Sequence, residues 1–224
     1  MFFNLRFRAF TLAEVLITLG IIGVVAAITM PTLITNYQKH VTVSRLKKAY
    51  SQISHAFKLS EVENGETKYW NLDAPADEFA EKYLIPYLKN TEKLLTSDLN
   101  SKIGYKFLNG QSAKNIGWEW GYSLKLSDGT FVIIDGWSPG DNSYRTIYVD
   151  INGYQKPNVF GKDMFVFQIL KTSAFRPYYY HSSRDGLLSN GEQKCSKQSS
   201  EYPGISCAAL IMLDGWKIAP DYPW

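Results

Sequence analysis

The chain has 224 residues, 45% hydrophobic and 15% aromatic. That leaves room for one membrane helix and one globular domain of roughly 160 residues, and excludes a second large domain. The formal charge of +3 comes from scattered basic residues, so the balance by itself argues for neither nucleic acid nor an acidic surface as partner.

The chain opens on a short basic leader, Arg6 and Arg8, followed by Ala9-Phe10-Thr11-Leu12-Ala13-Glu14. From Phe10 to Leu33 the only polar side chains besides Glu14 are Thr11, Thr18, Thr29 and Thr32. Their hydroxyls can bond back to helix carbonyls, so the stretch is apolar and long enough to cross a bilayer. Glu14 is its one expensive residue: an ionised group at membrane depth costs roughly 2.5 to 3.5 kcal/mol on insertion scales and usually has a functional partner. The apolar segment supplies no cation, but a cut between Ala9 and Phe10 would create a free α-amino group on the face of the helix that carries Glu14. A conventional secretory signal would place its small-residue cut after the apolar region, and Ala26-Ala27-Ile28 lacks that form. An ordinary signal anchor, with Glu14 near the headgroups, is the plain competing reading. The positive-inside rule keeps Arg6 and Arg8 in the cytoplasm and sends the bulk of the chain outward.

These residues resemble the type IV pilins and the pseudopilins of type II secretion. Members have a basic leader, a small residue before the cut, Phe-Thr-Leu-x-Glu, about twenty apolar residues and a proline near their end. Here the motif is Phe10 to Glu14 and the proline is Pro31; Ala9 stands where the family usually has Gly. The resemblance implies cleavage between Ala9 and Phe10 by a prepilin peptidase and N-methylation of Phe10. It also implies that Glu14 neutralises the N-terminus of an adjacent subunit as pilin or pseudopilin copies, alike or different, assemble into a fibre. The expected location is a single-pass cytoplasmic (inner) membrane protein with its head outside the cytoplasm.

Beyond the apolar segment, Pro31 removes one backbone hydrogen bond and favours a kink, since helical periodicity resumes after it. Val43, Leu46, Tyr50, Ile53 and Phe57 form one apolar stripe against a polar face of Arg45, Lys48, Gln52 and Lys58. Arg45, Lys47 and Lys48 read as a solvated face. The helix should end near Asn64-Gly65, where Gly can take the left-handed cap conformation. It would then span about 55 residues, or roughly 80 Å. The expected organisation is a leader over 1–9, a long helix over 10–64 (10–33 transmembrane, 34–64 amphipathic) and a globular head over 65–224.

In the head, Phe79, Tyr83, Leu84, Tyr87 and Leu88 predict a short helix after Asp73-Ala74-Pro75, loosened by Pro86. Tyr122 to Leu126 and Thr130 to Asp135 flank Ser127-Asp128-Gly129 as a hairpin, with further strands at Thr146 to Ile151 and Met164 to Leu170. The tail from Thr172 to Cys207 reads mainly as loop, with short strands at Ala208 to Leu213 and Trp216 to Ile218 around Asp214-Gly215. The class is α+β: a long N-terminal transmembrane helix packed against an antiparallel sheet. Cys195 and Cys207 are expected to pair, closing a loop that contributes on the order of 3 kcal/mol. His181 is the only histidine near them, and no zinc spacing results.

Between Asp150 and Asp163 the chain places Asp150, Asn152, Asn158 and Asp163 among two glycines and a proline. Ca²⁺ is one explanation, since hard cations take six to eight oxygens from such loops and some pseudopilins bind calcium in theirs. The spacing departs from the EF-hand, and Lys156 and Lys162 add positive charge. The other explanation is a tight turn at Asn152-Gly153, with Asp163 ordering the loop through backbone hydrogen bonds. No nucleophile arrangement, phosphate loop or metalloprotease motif is visible, so an enzyme is not expected. Trp118-Glu119-Trp120 and Tyr178-Tyr179-Tyr180 could stack on a ligand, although core packing explains most aromatic residues. Two functions follow: a structural subunit of a type IV pilus or type II secretion pseudopilus, or a membrane-anchored exported binding protein or enzyme that uses the helix only as an anchor.

Overall fold

The computed structural model describes residues 11–94, 99, 103–113, 121–180 and 182–224. Two compact units divide the chain, Met1–Val41 and Thr42–Trp224, and helix α1 (Leu12–Asn64) contributes to both.

In the first unit α1 is helical through Pro31, and its large apolar side chains, among them Leu12, Leu16, Ile21, Val24 and Ile28, are exposed. Thr18 donates its hydroxyl to the Val15 carbonyl at 2.9 Å and Thr29 donates to Val25 at 2.9 Å. The threonines are therefore internally satisfied, as an apolar environment requires. By length and composition this helix can cross a membrane.

In the second unit the stripe on α1 buries as its spacing predicts. Leu46, Ile53 and Phe57 are buried in the main core, with Val43 and Tyr50 packed at its edge. The helix stops at Asn64, and Gly65 follows at φ +78°, the left-handed conformation that only glycine adopts without strain. Helix α2 (Ala76–Tyr83) comes next, followed by a 3₁₀ turn at Ile85–Tyr87 that contains Pro86.

The sheet is a meander of six antiparallel strands in chain order: β1 (Glu92–Leu94), β2 (Tyr122–Lys125), β3 (Phe131–Ile134), β4 (Tyr144–Asp150), β5 (Met164–Leu170) and β6 (Ser173–Pro177). It is covered on both faces. Val132, Ile134, Ile147, Val149, Phe165 and Phe167 join the α1 stripe. Their neighbours Phe131, Ile133, Tyr148, Met164 and Val166 face a second cluster that includes Ile103, Phe107, Phe160 and Ile205. Two-sided burial explains why β3 reads as the unbroken apolar run Phe-Val-Ile-Ile.

Aromatic rings fasten α1 to the sheet. Tyr50 lies 5.7 Å from Phe167, 5.6 Å from Phe175 and 5.3 Å from Trp216, ring centre to ring centre. Phe57 contacts Trp70, Phe79 and Phe175 at 6.0, 6.4 and 5.5 Å. A polar clamp holds the segment before α2 to the start of β4. Buried Arg145 donates to the carbonyls of Asp135, at 2.8 Å, and Ala74, while the Asn142 amide N–H donates to Asp73 at 2.5 Å.

Four expectations are corrected. Ala208 to Leu213 is not a strand but part of helix α4 (Cys207–Leu213), and Trp216 to Ile218 forms no strand. The run Ala-Ala-Leu-Ile-Met-Leu is rich in strong helix formers, and a buried apolar run has no periodicity to separate helix from strand. Gly215, at φ +71°, follows the end of that helix instead of turning a hairpin. The tail is also more ordered than a loop: it carries β6 and helix α3 (Arg184–Leu188). Strand β1 was not legible, because its three residues Glu-Lys-Leu carry no strand signal until they pair with Ser123 to Lys125.

Candidate functional site

The cleavage residues Ala9 and Phe10 lie outside the described residues, as do His181 and the Trp118-Glu119-Trp120 segment. Glu14 sits in the first turn of α1, and its environment is a reciprocal cap. Its Oε2 accepts the Thr11 backbone N–H at 2.8 Å and the Thr11 hydroxyl at 2.8 Å, while the Glu14 N–H donates to Thr11 Oγ1 at 3.2 Å. This is a capping box, and its signature, Thr-x-x-Glu before an apolar run, stands in the sequence at Thr11 to Glu14. Residue type and spacing alone carry that signal. Oε1 accepts no bond from the described residues, so the carboxylate keeps one oxygen available for a further donor. Pro31 lies within α1, so the helix there lacks one N–H donor.

The loop after β4 brings Asp150, Asn152, Asn158 and Asp163 together, and it spends their side chains on the polypeptide. Asp150 Oδ1 accepts the N–H groups of Asn152 at 3.0 Å and Gly153 at 2.8 Å, and Oδ2 accepts the Tyr105 hydroxyl at 2.6 Å. Asp163 accepts the N–H groups of Asn158 and Val159, both at 2.6 Å. Asn152 donates to the Lys156 carbonyl and Asn158 to that of Ile103, both at 3.3 Å. Gly153 turns at φ +63°, where a Cβ would stand 2.7 Å from the Gly129 carbonyl oxygen. Two amide oxygens, Asn152 Oδ1 and Asn158 Oδ1, are buried without a donor. They are the feature here that would suit a cation. All four carboxylate oxygens, however, already face N–H or O–H donors, and no group of three His, Cys, Asp or Glu among the described residues could hold a metal. The donor set does not fit a resident Ca²⁺, which needs six to eight oxygens turned toward one point. It fits a staple that ties the loop to Tyr105 and β5.

Residues 4–30 match the family described as the prokaryotic N-terminal methylation motif, the prepilin-type cleavage and methylation segment of type IV pilins and pseudopilins. Residues 32–224 match the family of unknown function DUF6613. The chain belongs to DUF6613. Comparisons with curated proteins and with solved structures returned no match. The motif implies processing by a peptidase and assembly with other pilin subunits.

The DUF6613 region carries the buried staple and one disulfide. Cys195 and Cys207 are bonded and fully buried, with Cα atoms 4.6 Å apart. They anchor the tail to the first turn of α4. Gly161, at φ +82°, packs so closely on Cys207 that a Cβ there would lie 2.7 Å from Sγ. In the staple, burial and then the neighbouring Asp163 carboxylate push Asp150 up to about 7, against the opposing pull of Tyr105 and the two N–H donors. Burial likewise raises Asp163. Folded Asp150 therefore keeps its proton to about pH 7, whereas the unfolded chain releases it near pH 4. Between those values the folded state binds the extra proton, so stability falls as pH rises. Relative to Asp150→Asn, the wild-type chain should lose stability as pH rises from 4 to 7, measured by urea denaturation in detergent. Parallel profiles in the two proteins would refute the assignment.

Proposed function

We propose that this DUF6613 chain is a pilin or pseudopilin: a structural, non-enzymatic subunit cut between Ala9 and Phe10, methylated on Phe10 and assembled through its N-terminal helix into a type IV pilus or type II secretion pseudopilus. The observation that carries the reading is the matched methylation segment at residues 4–30. It fronts the exposed apolar segment of α1, whose one acid, Glu14, has a carboxylate oxygen with no donor among the described residues. In such an assembly the new amino group of Phe10 on one copy meets Glu14 of the next, and each charge compensates the other at membrane depth. A disulfide buried in the head supports a location on the oxidising side of the membrane. Arg6 and Arg8 favour retention of the leader in the cytoplasm.

Mass spectrometry of the mature N-terminus tests the proposal. N-methylated Phe10 is the expected result. An intact Met1, or a cut after Ala27, would overturn the reading and leave the helix as an anchor.

A further inference from the structure

Within the head unit, the exposed side of α1 borders a cleft of about 200 Å³ lined by Arg45, Lys48, Asp128, Thr130, Asn152 and Gln155. Lys48 is neutralised inside its own chain by Asp128 at 2.7 Å. Arg45 has no acidic partner among the described residues, and Lys47 beside it is exposed and likewise unpaired. The cleft thus presents a guanidinium with no acidic partner among the described residues, whose planar fork suits a carboxylate, next to the amide of Gln155.

The complementary excess lies elsewhere on the same unit. The acids that end α1 and follow it are used internally: Glu61 accepts from the Thr67 N–H at 3.4 Å, Glu63 from the Tyr87 hydroxyl at 2.9 Å, and Glu66 pairs with Lys68 at 2.9 Å. Of the acids on helix α2 only Asp77 is engaged among the described residues, accepting the Glu78 N–H at 3.0 Å. The helix exposes Asp77, Glu78 and Glu81, and Asp77 and Glu81 stand at i,i+4, where like charges repel. Lys82, the cation on the same helix, lies over the Tyr83 ring at 5.0 Å.

We propose that the Arg45 cleft is a socket for an acidic side chain on α2 of a second copy of this chain. The inference rests on the fibre-subunit reading and adds to it a contact between heads. Socket and knob are different surfaces, so the interface is heterologous, and such contacts propagate into open filaments when the rotation does not close. They are also offset along α1. Phe79 of α2 packs on Phe57, which lies on the order of 18 Å further along the helix than Arg45 at 1.5 Å per residue. Two copies joined in this way are displaced along the helix axis, as a fibre requires.

The test uses the full-length chain in its own cells with its assembly machinery. Arg45→Glu should cut fibre yield about tenfold while leaving Phe10 methylation unchanged, and Glu81→Arg should do the same. Combining the two reverses both charges and should restore most of the yield. Wild-type yield from Arg45→Glu would overturn the proposal, as would a reversed pair no better than the single variants when all melt like wild type. If the reversals lower the melting temperature, Gln155→Cys with Glu81→Cys should instead give an intermolecular disulfide in fibres, and its absence overturns the contact. Wild-type chains that yield no fibre and lack methylated Phe10 would sink the subunit reading itself, a result distinct from a failure of the socket.

Discussion

Glu14→Gln is expected to insert into the membrane normally, keep its helix start and fail to assemble. The capping box makes this substitution more informative than Glu14→Ala. Glutamine at this position can still accept from Thr11, so the cap survives, while the charge is lost. Alanine removes both, and loss of a cap alone costs about 1 kcal/mol. Two roles for Glu14 therefore separate. If its charge compensates the Phe10 amino group of a neighbouring copy, Gln and Ala variants should be equally defective, with fibre yield down at least about tenfold, because an unpaired ammonium at membrane depth costs several kcal/mol. If Glu14 serves only as a cap, the Gln variant assembles like wild type and Ala is partly impaired. The measurement is fibre yield normalised to membrane-inserted, Phe10-methylated protein. Normal yield from Glu14→Gln would sink the pairing role.

Phe57→Ala is expected to destabilise the head by about 3 to 5 kcal/mol, a large part of the stability of a domain this size. Phe57 is buried and touches Trp70, Phe79 and Phe175, so its removal opens a cavity where α1, the segment before α2 and strand β6 meet. These rings are held by separate elements and cannot collapse together into the space. Val62 provides the control: it lies on the same helix but is 82% exposed, and Val62→Ala should change stability by less than about 0.5 kcal/mol. Chemical denaturation of the full chain in detergent reads both. A loss under about 1 kcal/mol for Phe57→Ala would mean that α1 is not fastened to the head as described.

Much of this architecture is legible because its signals are local. The stripe Val43 to Phe57 states which side of α1 is apolar, and Gly65 states where the helix ends. Ser127-Asp128-Gly129 joins two β-rich runs, and a meander needs only neighbours to pair. At the candidate site, the motif Phe10 to Glu14 is legible from residue type alone, and the capping box Thr11-x-x-Glu14 overlaps it. Elsewhere the signals were ambiguous or absent. Cys207 to Leu213 has the composition of a helix and the length of a strand. Glu92 to Leu94 becomes a strand only through its partner. The loop Asp150 to Asp163 has the oxygen content of a cation site and the hydrogen bonding of a staple, and composition cannot separate the two.

Residues read along the chain establish a prepilin-type segment, one acid to be accommodated in an apolar segment, and a helix that continues as an amphipathic one. These properties depend on residue type and spacing along one chain. The folded head adds that the sheet is covered on both faces, that Asp150 and Asp163 are buried side by side, and that Lys48 has an acid while Arg45 has none among the described residues. Periodicity reports that a face is apolar or charged. What covers that face, or leaves it uncompensated, depends on groups brought together from distant parts of the sequence.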